Sequence, residues 1–169
     1  MTRCIYQIVG YKNTGKTTLI QKLIQHFSKH NVKVGTLKHH GHGGPLKTVK
    51  DTDSYRHSQS GSMITAVQSD TELQLTINSQ MEIDKIIQMY SLLNVDLLLI
   101  EGYKYAEYPK IVLLKNEEET NLLKELTNIK AIGVRDKKLI GTFDCFTFSL
   151  NDLDSNLTKI IEHIYHKEL

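Results

Sequence analysis

The chain has 169 residues, which suits one compact domain with a real hydrophobic core and is short for two, so we predict a single domain over residues 1–169. Lysine and arginine number 21 against 19 acidic residues, and neither sign gathers into a tract, so nucleic acid is not an expected partner. The apolar run after Met1 stops at Gly10, too early for a signal peptide or a membrane span, and we expect a soluble, cytoplasmic protein with no membrane partner.

The N-terminal part of the chain reads as a strand, a loop, a helix and a second strand. Residues 4–9 form a strand-like run that ends in a glycine-rich turn, and Leu19, Leu23 and Phe27 then recur at helical spacing. Residues 32–37 can return as a second strand. A strand–helix–strand unit of this kind is right-handed in nearly all proteins, so a parallel sheet begins here.

The middle of the chain predicts an open loop, a short helix and a β-hairpin. Residues 38–50 are rich in His, Gly and Lys, a composition that favours a loop, and residues 51–60 suit a short helix. Residues 63–67 and 73–77 predict two strands, the second with strict apolar alternation. Because such alternation leaves one face in water, we expect the hairpin at an edge of the sheet or at a dimer contact.

The C-terminal part continues the alternation of helices and strands. Spacing predicts helices over residues 83–93, 122–126 and 153–164, and apolar runs predict strands over residues 95–100, 111–114 and 129–134. The run at 95–100 is apolar enough for the core strand of a parallel sheet. Cys4 in the first strand and Cys145 in a late strand lack metal-binding spacing, so we expect reduced, buried thiols. The whole pattern predicts a three-layer α/β fold with a mostly parallel central sheet.

The segment between the first strand and the first helix matches the phosphate-binding pattern G-x-x-x-x-G-K-[ST] at every fixed position. Its glycines let backbone N–H groups turn toward phosphate oxygens at the positive end of a helix. Lys16 is expected to neutralise the β- and γ-phosphates, and the Thr17 hydroxyl to join the Mg²⁺ shell. We therefore predict a P-loop NTPase-like domain that binds a nucleoside triphosphate with Mg²⁺. The predicted binding residues of this segment are Gly10, Lys12, Asn13, Thr14, Gly15, Lys16, Thr17 and Thr18.

An acid, Glu101, follows the apolar run at 95–100, where α/β sheets place their ligands. It can hold Mg²⁺ through water or position the attacking water, which makes Lys16 and Glu101 the candidate catalytic residues and Thr17 and Glu101 the candidate metal ligands. A surface or helix-capping acid is the alternative. Asp96 begins the same run, about 16 Å away by strand rise, and is the weaker candidate.

Histidines and charged residues follow the second predicted strand. His39, His40 and His42 are close enough to suggest zinc, yet no fourth ligand is evident. We favour a loop in which Lys38 and some imidazoles face phosphates or a second anionic ligand, against a loop that is simply polar.

Asp53 and Arg56 combine a possible Mg²⁺ ligand with a guanidinium suited to bidentate phosphate recognition. A surface ion pair on a helix explains the two residues equally well.

Taken together, these segments resemble the molybdopterin-guanine dinucleotide biosynthesis protein B family, from Ile5 to about Asp136. The resemblance is carried by the phosphate loop together with Lys38-His39-His40, residues 53–57, Gly61, residues 96–104 and Pro109-Lys110. Tyr103 replaces a phenylalanine common in this family, and Ser60-Gly61-Ser62 stands where Ala-Gly-Ala is frequent.

The resemblance implies a dimeric GTP-binding adaptor with weak GTPase activity, which works beside the molybdopterin guanylyltransferase and other proteins of molybdenum cofactor assembly. GTP and Mg²⁺ are the implied cofactors. It also implies that Lys38, Asp53 and Arg56 line the nucleotide crevice and that base contacts lie near Asp136. No Asn-Lys-x-Asp motif reads guanine in this chain.

Two other functions remain open at this level. A small-molecule phosphotransferase would use the same loop with an arginine-rich lid, but the chain has only three arginines, Arg3, Arg56 and Arg135. A pure binding module would use nucleotide to order residues 38–50 and so control docking to a partner without useful turnover.

Overall fold

The computed structural model describes residues 4–41, 44, 46 and 49–165. By its internal contacts the chain divides into two compact units: residues 1–41 with 87–169, and residues 42–86. The first holds the main sheet and the second a helix with a hairpin. The single domain over residues 1–169 stays a prediction.

Strands and helices alternate along most of the chain. The strands are β1 Cys4–Gly10, β2 Val34–Lys38, β3 Ile64–Gln68, β4 Leu73–Ile77, β5 Leu97–Glu101, β6 Lys110–Leu114, β7 Ile129–Val134 and β8 Phe146–Ser149. The α-helices are α1 Lys16–Lys29, α2 Asp53–Gln59, α3 Ile83–Leu92 and α4 Leu153–Ile164, and Glu117–Glu125 and Lys137–Leu139 are 3₁₀ helices.

The main sheet has six strands in the order β2-β5-β1-β6-β7-β8, and every neighbouring pair is parallel. This confirms the predicted α/β fold with a mostly parallel sheet. β5 is buried between β2 and β1, as its apolar sequence requires, although β1 and β6 occupy the middle of the sheet. The carboxyl ends of β1, β2 and β5 therefore meet at one edge, where the phosphate loop and Glu101 lie.

Two hydrophobic clusters cover the two faces of this sheet. One joins alternate strand residues such as Ile8 and Leu99 to Leu23 and Phe27 of α1 and to residues of α4. The other joins Val9, Val112 and their neighbours to the 3₁₀ segments. Because side chains alternate along a strand, β1 contributes Ile8 to one cluster and Val9 to the other.

Two local predictions in this unit need correction. The helix expected around residues 122–126 is a 3₁₀ helix, Glu117–Glu125, capped by the Asn116 side chain, which accepts from the Glu119 N–H. Cys145 precedes β8 instead of lying inside it, and both cysteines are half-buried free thiols.

In the second unit, β3 and β4 form the predicted antiparallel hairpin. The hairpin is a two-stranded sheet of its own: among the described strands, β3 and β4 pair with each other and with no other strand. Of the two places predicted for it, an edge of the main sheet is therefore not the one observed. The face that carries Ile64, Leu73 and Leu75 is largely exposed, with relative exposures of 51%, 63% and 43%. The dimer contact stays a prediction.

None of the helices in the described ranges is long and apolar enough to cross a membrane.

Candidate functional site

The phosphate loop leaves the sheet at Gly10. A Cβ at this position would lie 2.6 Å from the Leu113 carbonyl oxygen, so only glycine lets the chain turn here beside β6. Gly15 caps α1 in a left-handed conformation, with φ of 104°. The first N–H groups of α1 thus face the end of β1, an arrangement suited to an anion.

The register of three strands brings Glu101 to this loop. Glu101 lies opposite Ile8 of β1 on one side and Lys38 of β2 on the other. Its Oε1 is 3.0 Å from Lys38 Nζ, and its Oε2 accepts a hydrogen bond of 3.4 Å from the Thr17 hydroxyl. The Glu101 side chain is only 15% exposed, and the Lys38 ammonium and the Thr17 hydroxyl contact its two oxygens.

A cavity of about 460 Å³ opens over the loop. It is lined by Lys12, Asn13, Gly15, Lys16, Thr17, Thr18, Lys38, Glu101 and Arg135. Four of these side chains are cations, and Glu101 is the one carboxylate among the described lining residues, which leaves a net charge of +3. Such a cavity attracts a polyphosphate, because its positive electrostatic potential is concentrated at the loop.

Lys16 folds over the loop that carries it. Its Nζ donates to the carbonyl oxygens of Gly10 at 2.9 Å and Tyr11 at 2.7 Å. Burial lowers the pKa of Lys16 below its ordinary value, and the nearby Glu101 carboxylate opposes that shift. A bound anion would favour the charged ammonium further.

Three of the predicted residues that belong to the first unit do not line the cavity. Gly10 acts through the turn described above, and the buried Thr14 donates its hydroxyl to the Tyr11 carbonyl at 2.9 Å, so its side chain holds the loop closed. Asp136 caps a 3₁₀ helix by accepting from the Lys138 N–H at 3.0 Å. Its neighbour Arg135 lines the cavity instead, and the strand end followed by a cation was the sequence signal for it.

The histidine segment docks on the turn after Glu101. The His39 N–H donates to the Glu101 carbonyl at 2.9 Å, and the His39 ring packs on Tyr103 with centroids 4.5 Å apart. Within the described ranges no group of three His, Cys, Asp or Glu side chains is placed to hold a metal ion. His42 lies outside the described residues.

Asp53 and Arg56 lie on α2 of the second unit. Arg56 Nη1 is 3.5 Å from Asp53 Oδ1, and both side chains are mostly exposed. This is the surface ion pair that the sequence left open, and the role of the two residues at a nucleotide stays a prediction.

Comparison with known proteins agrees with the predicted resemblance. Residues 5–135 match the family described as molybdopterin guanine dinucleotide synthesis protein B. The chain is 43% identical over 137 residues to a probable molybdopterin-guanine dinucleotide biosynthesis adapter protein of Bacillus subtilis, which covers 79% of this chain and 78% of that protein. Crystal structures of Bacillus subtilis MobB and of a MobB homolog from Bacillus stearothermophilus have TM-scores of 0.83 and 0.77 at 34% and 32% identity. The two structural alignments cover 97% and 96% of this chain, respectively, and 99% of each crystallised chain.

Replacing Lys16 by alanine is expected to weaken binding of inorganic tripolyphosphate. A hydrogen bond to a charged group contributes roughly 1.5–3 kcal/mol, which corresponds to a loss of about tenfold or more in affinity. Calorimetric titration measures the change. The matched control is Lys22→Ala, which removes the same charge from α1 at an ion pair with Asp154, outside the cavity. Equal losses in the two variants would contradict a specific role for Lys16.

Proposed function

The chain belongs to the molybdopterin guanine dinucleotide synthesis protein B family, and on that premise we propose that it is a GTP-binding adapter of molybdopterin-guanine dinucleotide biosynthesis with slow GTPase activity. In this role it works beside a guanylyltransferase and other proteins of molybdenum cofactor assembly. The observation that carries the proposal is the cationic cavity over the phosphate loop, in which Thr17 and Glu101 stand side by side.

The cavity fits a triphosphate with Mg²⁺ by charge and by ligand type. Lys12, Lys16, Lys38 and Arg135 supply positive charge, and the loop supplies backbone N–H groups. Mg²⁺ prefers oxygen ligands, and the Thr17 hydroxyl and the Glu101 carboxylate are two such groups at hydrogen-bonding distance. When bound, the metal would neutralise negative charge on the phosphates.

The residues of the cavity divide the work of binding and hydrolysis. Lys16 would bind the β- and γ-phosphates, and the Thr17 hydroxyl would be a ligand of Mg²⁺. Glu101 is the one carboxylate among the described lining residues that can orient a water, and it is paired with Lys38 at 3.0 Å. That ion pair engages one of the two carboxylate oxygens, which supports slow turnover.

The proposal is tested by calorimetric titration with GTP and, separately, ATP, each with Mg²⁺. Because the residues after β7 are proposed to read the base, we expect GTP to bind at least about tenfold more tightly, a difference of about 1.4 kcal/mol. A preference for ATP would favour the phosphotransferase, for which a transferred phosphate would then be sought. Absence of binding to both would contradict the proposal.

Glu101→Gln is expected to slow GTP hydrolysis by about 100-fold, the lower end of the effect of a positioned acid or base, while GTP affinity changes little. The neutral amide keeps the shape of the side chain but cannot accept a proton or hold the metal as strongly. Phosphate release measures the rate. Asp96→Asn is the matched control, because Asp96 precedes the other end of β5 and accepts from the Lys33 N–H. Equal rates for Glu101→Gln and the parent would remove Glu101 from the mechanism.

We also assign dimerisation to the hairpin of the second unit, whose apolar face carries Ile64, Leu73 and Leu75. Burial of such a face against a second copy stabilises a dimer at about 25 cal/mol per Å² of apolar surface. Leu75→Glu is expected to shift the protein from dimer to monomer in analytical ultracentrifugation. Leu92→Glu is the control, because Leu92 is 82% exposed at the end of α3. A monomeric parent, or a Leu75→Glu variant that stays dimeric, would contradict the assignment.

A further inference from the structure

The connection from β5 to β6 is unusually short for the distance that it crosses. β5 and β6 are parallel and are separated by β1, yet only residues 102–109, eight in number, lie between Glu101 and Lys110. Crossovers between parallel strands generally use a dozen or more residues and a helix that satisfies its own backbone. This segment has no helix, so its carbonyl groups need other partners.

Gln7, in the middle of β1, supplies the first of these partners. Its side chain is fully buried, and its Nε2 donates to the carbonyl oxygens of Gly102 at 3.1 Å and Tyr103 at 2.7 Å. Its Oε1 has no hydrogen-bond partner among the described residues. A buried glutamine with an unpaired oxygen lowers the stability of the fold. The two hydrogen bonds of the amide nitrogen therefore account for the presence of glutamine at this position.

Lys110, the first residue of β6, supplies the second partner. It is fully buried and lies directly opposite Gln7 in the parallel register. Its Nζ donates to the Ala106 carbonyl and, at 3.0 Å, to the Tyr108 carbonyl. Burial lowers the pKa of Lys110 from its ordinary value, and the Glu107 carboxylate opposes this shift. Two neighbouring buried side chains thus hold four carbonyl groups of one connection.

The segment held in this way begins at the candidate site. Tyr103 adopts a left-handed conformation with φ of 49°, which an aromatic residue keeps only where its surroundings impose it. The hydrogen bond from Gln7 to the Tyr103 carbonyl is one such constraint, and the Tyr103 ring in turn packs on His39. The turn that directly follows Glu101 is therefore held in place by the Gln7 side chain, which binds the carbonyl groups of Gly102 and Tyr103.

We propose that Gln7 and Lys110 are positioning residues that hold the connection 102–109 and thereby place the Glu101 carboxylate for Mg²⁺. This inference rests on the proposed function. Neither side chain lines the cavity, so both act through the backbone of the turn. Loss of a group that orients a metal ligand weakens metal affinity or activity by about 10–100-fold, and Gln7 and Lys110 would orient Glu101 through the backbone that follows it.

The test uses Lys110→Met and Gln7→Leu, which keep side-chain length or bulk and remove the donors. Val112→Ala is the matched control, because Val112 is fully buried on the same face of β6 and loses packing without touching the connection. Amide hydrogen exchange is measured first on protein without nucleotide. We expect faster exchange within residues 102–109 in both donor variants than in Val112→Ala, compared at equal free energy of unfolding.

The second measurement separates positioning from a purely structural role. Binding of a non-hydrolysable GTP analogue is titrated with Mg²⁺ and repeated in excess EDTA. In both donor variants we expect the half-saturating Mg²⁺ concentration to rise by about tenfold, the lower end of the range for groups that orient a metal ligand. Affinity for the GTP analogue in EDTA should stay close to that of the parent. In Val112→Ala both quantities should match the parent. Should Lys110→Met fail to fold, Gln7→Leu decides the same question.

Two results would overturn the inference, and they differ from failure of the proposed function. Unchanged exchange in residues 102–109 would show that the donors do not hold the connection. Faster exchange with an unchanged Mg²⁺ requirement would make the pair structural only. A parent protein that shows no Mg²⁺-dependent binding would instead overturn the proposed function, and the role of Glu101 with it.

Discussion

The parallel register of β2, β5 and β1 is the constraint on which the candidate site depends. It sets Lys38, Glu101 and Ile8 side by side, so the carboxylate lies under the loop that starts two residues beyond Ile8. A shift of one residue in β5 would turn Glu101 to the opposite face of the sheet and place an aliphatic side chain beside Thr17. The fully buried residues of β5 oppose such a shift, because each fills its place in one of the two faces of the sheet.

The sequence could predict the elements of this site because their signals are local. A glycine pattern between a strand and a helix, and an acid after an apolar run, each depend on a few consecutive residues. The sequence could not decide whether Arg135 or Asp136 lines the cavity. Side chains alternate in direction at a strand end, and the residue that caps the next turn is not available to the cavity. Asp136 is used as a cap, and Arg135 lines the cavity. The sequence also could not predict the pairing of the hairpin, because alternation indicates a solvent-exposed face but does not identify a partner strand.

Polar residues within or next to predicted apolar strands were a signal that sequence reasoning left unused. Gln7 interrupts an apolar strand, and Lys110 stands at the start of another that is otherwise aliphatic. By the period of two, Gln7 and Val9 share a face, so the pattern places a polar group in the core, where it needs a partner. Its partner is an eight-residue connection without a helix, and only the order of the strands shows that this connection crosses β1.

The ion pair of Lys38 with Glu101 suits a site that exchanges partners. Lys38 is 64% exposed, so water can solvate its ammonium when it leaves the carboxylate. Glu101 is 15% exposed and would then need another cation. A phosphate that draws Lys38 away and a metal that approaches Glu101 would satisfy both residues at once.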